Sequence, residues 1–91
     1  MISTHAQCTA TLEDALSKID KVIAQLGSDP PKANAKRYLQ QMLKTLLKKA
    51  KPTAEEKRNL VTACNCIRGV PLQMPELHTQ LYDIEDYVDT L

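Results

Sequence analysis

The stretch Thr11–Leu26, TLEDALSKIDKVIAQL, decides the fold class of this chain. Its apolar side chains recur at steps of three and four residues, which places them along one side of a helix. They are Leu12, Ala15, Leu16, Ile19, Val22, Ile23 and Leu26. Thr11, with Asp14 three residues later, suits the start of a helix, and Gly27 suits a left-handed stop. We therefore predict a first helix over about residues 11–26.

Three later segments repeat this periodicity. A second helix is predicted over about residues 33–50, because Pro52 disfavours helical geometry at the residue before it. A third is predicted over about residues 54–68, behind the capping box Thr53–Glu56, and a fourth over about residues 75–90. Their apolar stripes are Ala35, Leu39, Met42, Leu43, Leu46, Leu47 and Ala50; then Leu60, Ala63, Cys64 and Ile67; then Leu77, Leu81, Ile84, Val88 and Leu91.

Four helical segments and only two glycines in 91 residues favour an all-α fold over a turn-rich β fold. Hydrophobic residues make up 43% of the chain without any Phe or Trp, so the core is expected to be aliphatic. Short links favour antiparallel neighbours, which predicts a compact antiparallel four-helix bundle. A crossed helical array, with helices at about 50° rather than about 20°, is the alternative. Residues 1–10 are predicted to be a flexible leader, and residues 11–91 a single helical-bundle domain.

The formal net charge is only +1, but the charges are segregated along the chain. Residues 30–58 hold nine Lys or Arg against two Glu, whereas residues 69–91 hold five Asp or Glu and no Lys or Arg. Spaced at steps of seven, four and three residues, four cations fall on one stripe of the second helix: Arg37, Lys44, Lys48 and Lys51. Three interpretations stay open for this basic face: a solvated surface, a contact for an acidic protein, or a contact for nucleic acid or anionic lipid.

The last ten residues, Tyr82–Leu91, carry a second charged face. Its carboxylates are Asp83, Glu85, Asp86 and Asp89. They follow no ordered metal-ligand pattern, and the tyrosines Tyr82 and Tyr87 at their edges suit a protein interface. In a homo-oligomer, this acidic face of one copy meeting the basic face of another is the simplest predicted contact.

This acidic stretch, which ends in the apolar Leu91, also resembles the secretion signals of proteins exported by bacterial type IV systems. The resemblance covers only about ten residues and has no strict motif. It implies a bacterial secreted effector, or an effector-associated domain, as an alternative function.

The pair Cys64 and Cys66 lies within the predicted third helix. Residues two apart in a helix point about 200° from one another, so one metal ion cannot take both thiols. We predict that Cys64 is a core residue and Cys66 a boundary thiol, and that neither binds metal. A metal or redox protein using these thiols and Cys8 is the alternative.

The connection from residue 70 to residue 75, VPLQMP, is unusually apolar for a loop. We expect Leu72 and Met74 to close one end of the bundle. The alternative is an exposed apolar patch that meets a partner.

Motifs of catalysis and of nucleotide binding are missing from the sequence: no G-x-S-x-G, P-loop, H-E-x-x-H or dinucleotide fingerprint occurs. We therefore predict a non-catalytic protein–protein interaction module or adaptor without a cofactor. No N-terminal signal peptide or membrane-length apolar run is visible. A cytoplasmic location is expected, while secretion by a route without such a signal stays open.

Overall fold

A computed structural model describes residues 1–69 and 74–91 of the chain. Within these residues it contains four α-helices and no strand. The helices are α1 (His5–Leu26), α2 (Pro30–Leu47), α3 (Ala54–Arg68) and α4 (Pro75–Asp89). The predicted all-α class is confirmed. None of these helices combines the length with the apolar character that a membrane-spanning segment needs.

The helices form a ring in which each one packs against two neighbours. α1 and α3 both contact α2 and α4, whereas the diagonal pairs make no contact. Gln80 donates a hydrogen bond to Asp14, and Lys18 lies 3.9 Å from Glu76. The later residue of α1 thus pairs with the earlier residue of α4, so the two helices run antiparallel. This arrangement is the predicted antiparallel four-helix bundle.

The core is aliphatic and follows the predicted stripes closely. Every stripe residue of α3 is buried, and so are Leu77, Leu81, Ile84 and Val88 of α4. The stripe prediction is wrong at the ends of the first two helices, because Leu26, Leu47 and Ala50 are exposed. Leu26 and Leu47 are the last residues of α1 and α2, and Ala50 lies beyond the end of α2, so all three are at an end of the bundle.

The first helix begins at His5, six residues before the predicted start at Thr11. The cap is Thr4, whose hydroxyl accepts a hydrogen bond from the backbone N–H of Gln7 at 3.2 Å. Residues 5–10, predicted to belong to a flexible leader, form the first turns of α1. Cys8 within them is completely buried. Its position four residues before Leu12 continues the apolar stripe, which is why the helix extends this far.

The second helix is shifted towards the N-terminus relative to the predicted 33–50. It begins behind Asp29, whose carboxylate accepts from the Lys32 backbone N–H at 3.0 Å, and prolines occupy its first positions. It ends at Leu47 because Lys49 adopts a left-handed conformation with φ of 56°. The capping box of α3 is confirmed, with reciprocal hydrogen bonds between Thr53 and Glu56 at 3.0 and 3.1 Å.

Candidate interaction surface

The Lys and Arg side chains of the bundle differ in whether a carboxylate lies close to them. Lys18, Lys32, Lys36 and Arg68 each lie within 4.0 Å of a carboxylate. In the part of the chain that the structure describes, the cations between residues 37 and 58 form no such ion pair: Arg37, Lys44, Lys48, Lys49, Lys51, Lys57 and Arg58. Within the described residues no direct ion pair therefore neutralises the positive charge of this region, although Lys57 donates a hydrogen bond to the Leu91 carbonyl at 3.0 Å.

Four of these cations lie together where α2 ends, and we call Lys44, Lys48, Lys49 and Lys51 the lysine corner. All four are exposed. Lys44 is in the last turn of α2, Lys48 caps the helix, and Lys49 and Lys51 lie in the link to α3. Cations are favourable here because the last carbonyl groups of a helix carry partial negative charge. The corner thus concentrates charge that a partner's carboxylates can meet.

The sequence placed these cations on one helical stripe, and the structure corrects that geometry. Because α2 ends at Leu47, Lys48 and Lys51 do not continue the helix. Arg37 lies two helical turns before Lys44, about 10 Å away along the axis. Its guanidinium lies 5.1 Å from the centre of the Tyr38 ring, so Arg37 is not a member of the corner. Lys49, which a continuous helix would turn away from the stripe, is a member that sequence reasoning missed.

The turn that carries the corner has a fixed backbone. The N–H of Lys49 donates to the Leu46 carbonyl at 3.0 Å, and the N–H of Ala50 donates to the Thr45 carbonyl at 3.1 Å. These two bonds define a Schellman motif, in which glycine usually occupies the left-handed position. Lys49 occupies it here, and a side chain at such a φ costs about 1 kcal/mol relative to glycine.

Two grooves adjoin the corner. Lys49 and Lys51 line one at the end of the bundle, together with His5, Ala50 and Leu91. Lys44 lines the other, between α2 and α3, which also contains the carboxylates of Glu55 and Glu56. These two carboxylates therefore partly balance the positive charge of Lys44. Lys48, Lys49 and Lys51 are the stronger candidates for binding.

The predicted acidic face separates into two parts. Asp86 and Asp89 are exposed, and Asp83 lies 3.9 Å from the amino group of Met1. Glu85 instead points towards α3, where its carboxylate accepts from Arg68 at 3.2 Å and its side chain is only 17% exposed. Glu85 therefore contributes to the α3–α4 contact, and the accessible acidic set is reduced to the three aspartates.

The most chemically varied cluster lies in that α3–α4 contact. Cys64 is completely buried there beside Glu85, and the Arg68 guanidinium lies 4.5 Å from the centre of the Tyr82 ring. Burial raises the pKa of the Cys64 thiol far above its ordinary value, and the neighbouring Glu85 carboxylate raises it further. A nucleophilic cysteine needs the opposite shift, whereas the raised pKa keeps the Cys64 thiol protonated at neutral pH.

The other two cysteines, Cys66 and Cys8, also lie in the packed part of the bundle. Cys66 is half-buried in a groove with Leu26, Pro31 and Lys32, so Cys64 is a core residue and Cys66 a boundary thiol, as predicted from their spacing. Burial raises the pKa of Cys8 to about 11. Among residues 1–69 and 74–91, no group of three or more His, Cys, Asp or Glu side chains is placed to hold a metal ion.

The apolar connection is only partly visible. Met74 is half-buried and packs against the core, as expected for a residue that closes an end of the bundle. The prediction for Leu72 falls outside the described residues.

Comparison of the chain with protein-family models, with curated proteins and with solved structures gave no significant match.

Proposed function

We propose that the chain is a small, non-catalytic helical-bundle interaction module that binds an acidic protein through the lysine corner. One observation carries this proposal: exposed lysines gather at one end of α2 without an ion-pair partner in the described residues. One of these lysines, Lys49, has a left-handed backbone conformation. A side chain that strains the backbone and adds nothing to the core is well explained by a contact with a partner.

Nucleic acid is the second candidate, since the same cations favour phosphates. The composition of the corner supports a protein more strongly. Residues 44–51, which carry the corner, include the exposed Leu47 and no aromatic residue that could stack on bases. Three free cysteines support a reducing compartment, such as the cytoplasm, as the place of binding.

Charge reversal tests the proposal. The full chain is titrated into a fluorescent Glu-rich peptide, a fluorescent DNA duplex and phosphatidylserine vesicles. Lys48→Glu and Lys51→Glu are each compared with Lys21→Glu, which changes the charge equally at an exposed lysine of α1 that forms no ion pair with any described residue. We expect each corner variant to weaken peptide binding about threefold to tenfold and Lys21→Glu to change it less than about twofold. Equal effects at all three positions, or tighter binding to DNA or vesicles than to peptide, would contradict the proposal.

A further inference from the structure

Leu47 is an exposed apolar side chain at the last residue of α2, between Lys44 and Lys48 in sequence. It is 58% exposed, more than any other large hydrophobic residue of the described chain apart from Met1. It is adjacent to Lys48 and lies one helical turn from Lys44, while Leu43, four residues earlier, is half-buried behind it. An aliphatic patch with a cationic border is therefore built into the end of α2.

Such a patch selects a particular chemistry in its partner. Covering Leu47 removes apolar surface from water, which favours an apolar side chain as its neighbour. Lysines brought into that contact need carboxylates to replace the water they lose. A highly charged acidic chain without apolar residues satisfies the lysines but leaves Leu47 in contact with water or with polar groups.

We propose that the lysine corner binds an acidic amphipathic segment of another protein, with an apolar side chain of that segment seated on Leu47 and Leu43 and its carboxylates on the lysines of the corner. This inference rests on the proposed function and adds the chemical class of the partner. Its basis is charge complementarity around a defined apolar contact.

Other occupants fit this surface less well. A membrane-surface helix presents a stripe of several apolar side chains, whereas here one exposed leucine stands in front of one half-buried leucine. A second copy of the chain offers Asp83 and Asp86 on α4, which is diagonally opposite α2. Copies joined in this way extend head to tail and do not close as a dimer.

Two peptides of equal length and charge separate these possibilities. Both carry Glu and Asp on a helical scaffold; one has leucines at positions i and i+4, and the other has glutamines there. Leu47→Gln is compared with Leu26→Gln, a matched change at a leucine that is 46% exposed at the other end of the bundle. We expect the wild-type chain to bind the leucine peptide at least about fivefold more tightly than the glutamine peptide. Leu47→Gln is expected to abolish that preference and Leu26→Gln to retain it.

The failures are distinguishable. If both peptides bind with equal, salt-sensitive affinity and Leu47→Gln does not change that affinity, this inference is wrong and the proposed function still stands. No binding of either peptide to the wild-type chain overturns both. Tighter Leu47-dependent binding to phosphatidylserine vesicles than to the leucine peptide, or Leu47-dependent self-association in sedimentation, also overturns the inference. Circular dichroism melting shows that each variant is folded.

Discussion

The ammonium group of Lys32 lies 2.7 Å from the carboxylate of Asp29, and it also donates to the Gly27 carbonyl at 2.8 Å. The Lys32 side chain is only 8% exposed. The buried Lys32 ammonium group thus joins the carbonyl of Gly27, which caps the end of α1, to Asp29, which caps the start of α2. The contact fixes the short link between these helices and explains why a lysine occupies a buried position.

Asp29→Ala should destabilise the bundle by about 2 kcal/mol, because it removes the α2 cap and leaves the buried Lys32 ammonium without its carboxylate. Asp20→Ala breaks the more exposed pair with Lys36 and serves as the control. It should cost less than about 1 kcal/mol. Urea unfolding measures both changes. Equal losses would show that the Asp29–Lys32 contact has no special role.

Lys49→Gly should raise the free energy of unfolding by about 1 kcal/mol, because glycine adopts the left-handed conformation without strain. The same variant should weaken binding of the acidic peptide, since it removes one cation of the lysine corner. Lys48→Gly, at a right-handed position, is the matched control and should not stabilise the bundle. Thermal unfolding and peptide titration measure the two effects. Stabilisation with unchanged binding would remove Lys49 from the binding surface.

The thiols should differ in reactivity. Cys8 and Cys64 are completely buried, and burial raises the pKa of each thiol, so few of them are present as the reactive thiolate at neutral pH. Cys66 is partly exposed and should react first with a disulfide reagent in the folded chain. A Cys66→Ser variant should lose the fast phase, and unfolding in urea should make the remaining thiols react quickly. A fast phase retained in Cys66→Ser would contradict the assigned burial.

Stability should fall in acid. The pKa of Glu56 is lowered by hydrogen bonds from the Thr45 hydroxyl and the Thr53 backbone N–H, and the Lys32 ammonium likewise lowers the pKa of Asp29. A lowered folded-state pKa means that the unfolded chain binds more protons. The stabilisation is therefore complete above the ordinary carboxyl pKa of about 4 and is lost as pH falls through the folded-state values. Unfolding curves between about pH 7 and pH 2 measure the loss.

Glu56→Gln is the matched variant for this acid transition. It should be less stable than the wild type at neutral pH and should lose less stability on acidification, because position 56 no longer titrates. Identical pH dependence in the two proteins would mean that Glu56 is not stabilised as a carboxylate.

The sequence was sufficient for the elements whose ends are determined locally. The start of α3 is predicted correctly from Thr53 and Glu56, because a capping box is recognised directly from residue types and spacing. The end of α2 was missed, since Lys49 takes a conformation for which glycine is the usual signal. The start of α1 was detectable, because Cys8 continues the stripe from Leu12.

The candidate surface was predicted in part. Lys44, Lys48 and Lys51 were selected from their charge and helical spacing, and all three are exposed in the structure. The exposure of Leu47 was not predictable from periodicity, since it depends on where the neighbouring helices end. The turning of Glu85 towards Arg68 likewise depends on the packing of α3 against α4.

Salt dependence tests the central claim most directly. The dissociation constant for the Glu-rich peptide is measured for the wild type and for Lys48→Glu between about 50 and about 300 mM salt, a range over which exposed charges become increasingly screened. We predict a clearly weaker affinity for Lys48→Glu at low salt and convergence of the two proteins at high salt. Equal affinities throughout the range would contradict the assignment of the lysine corner as the binding surface.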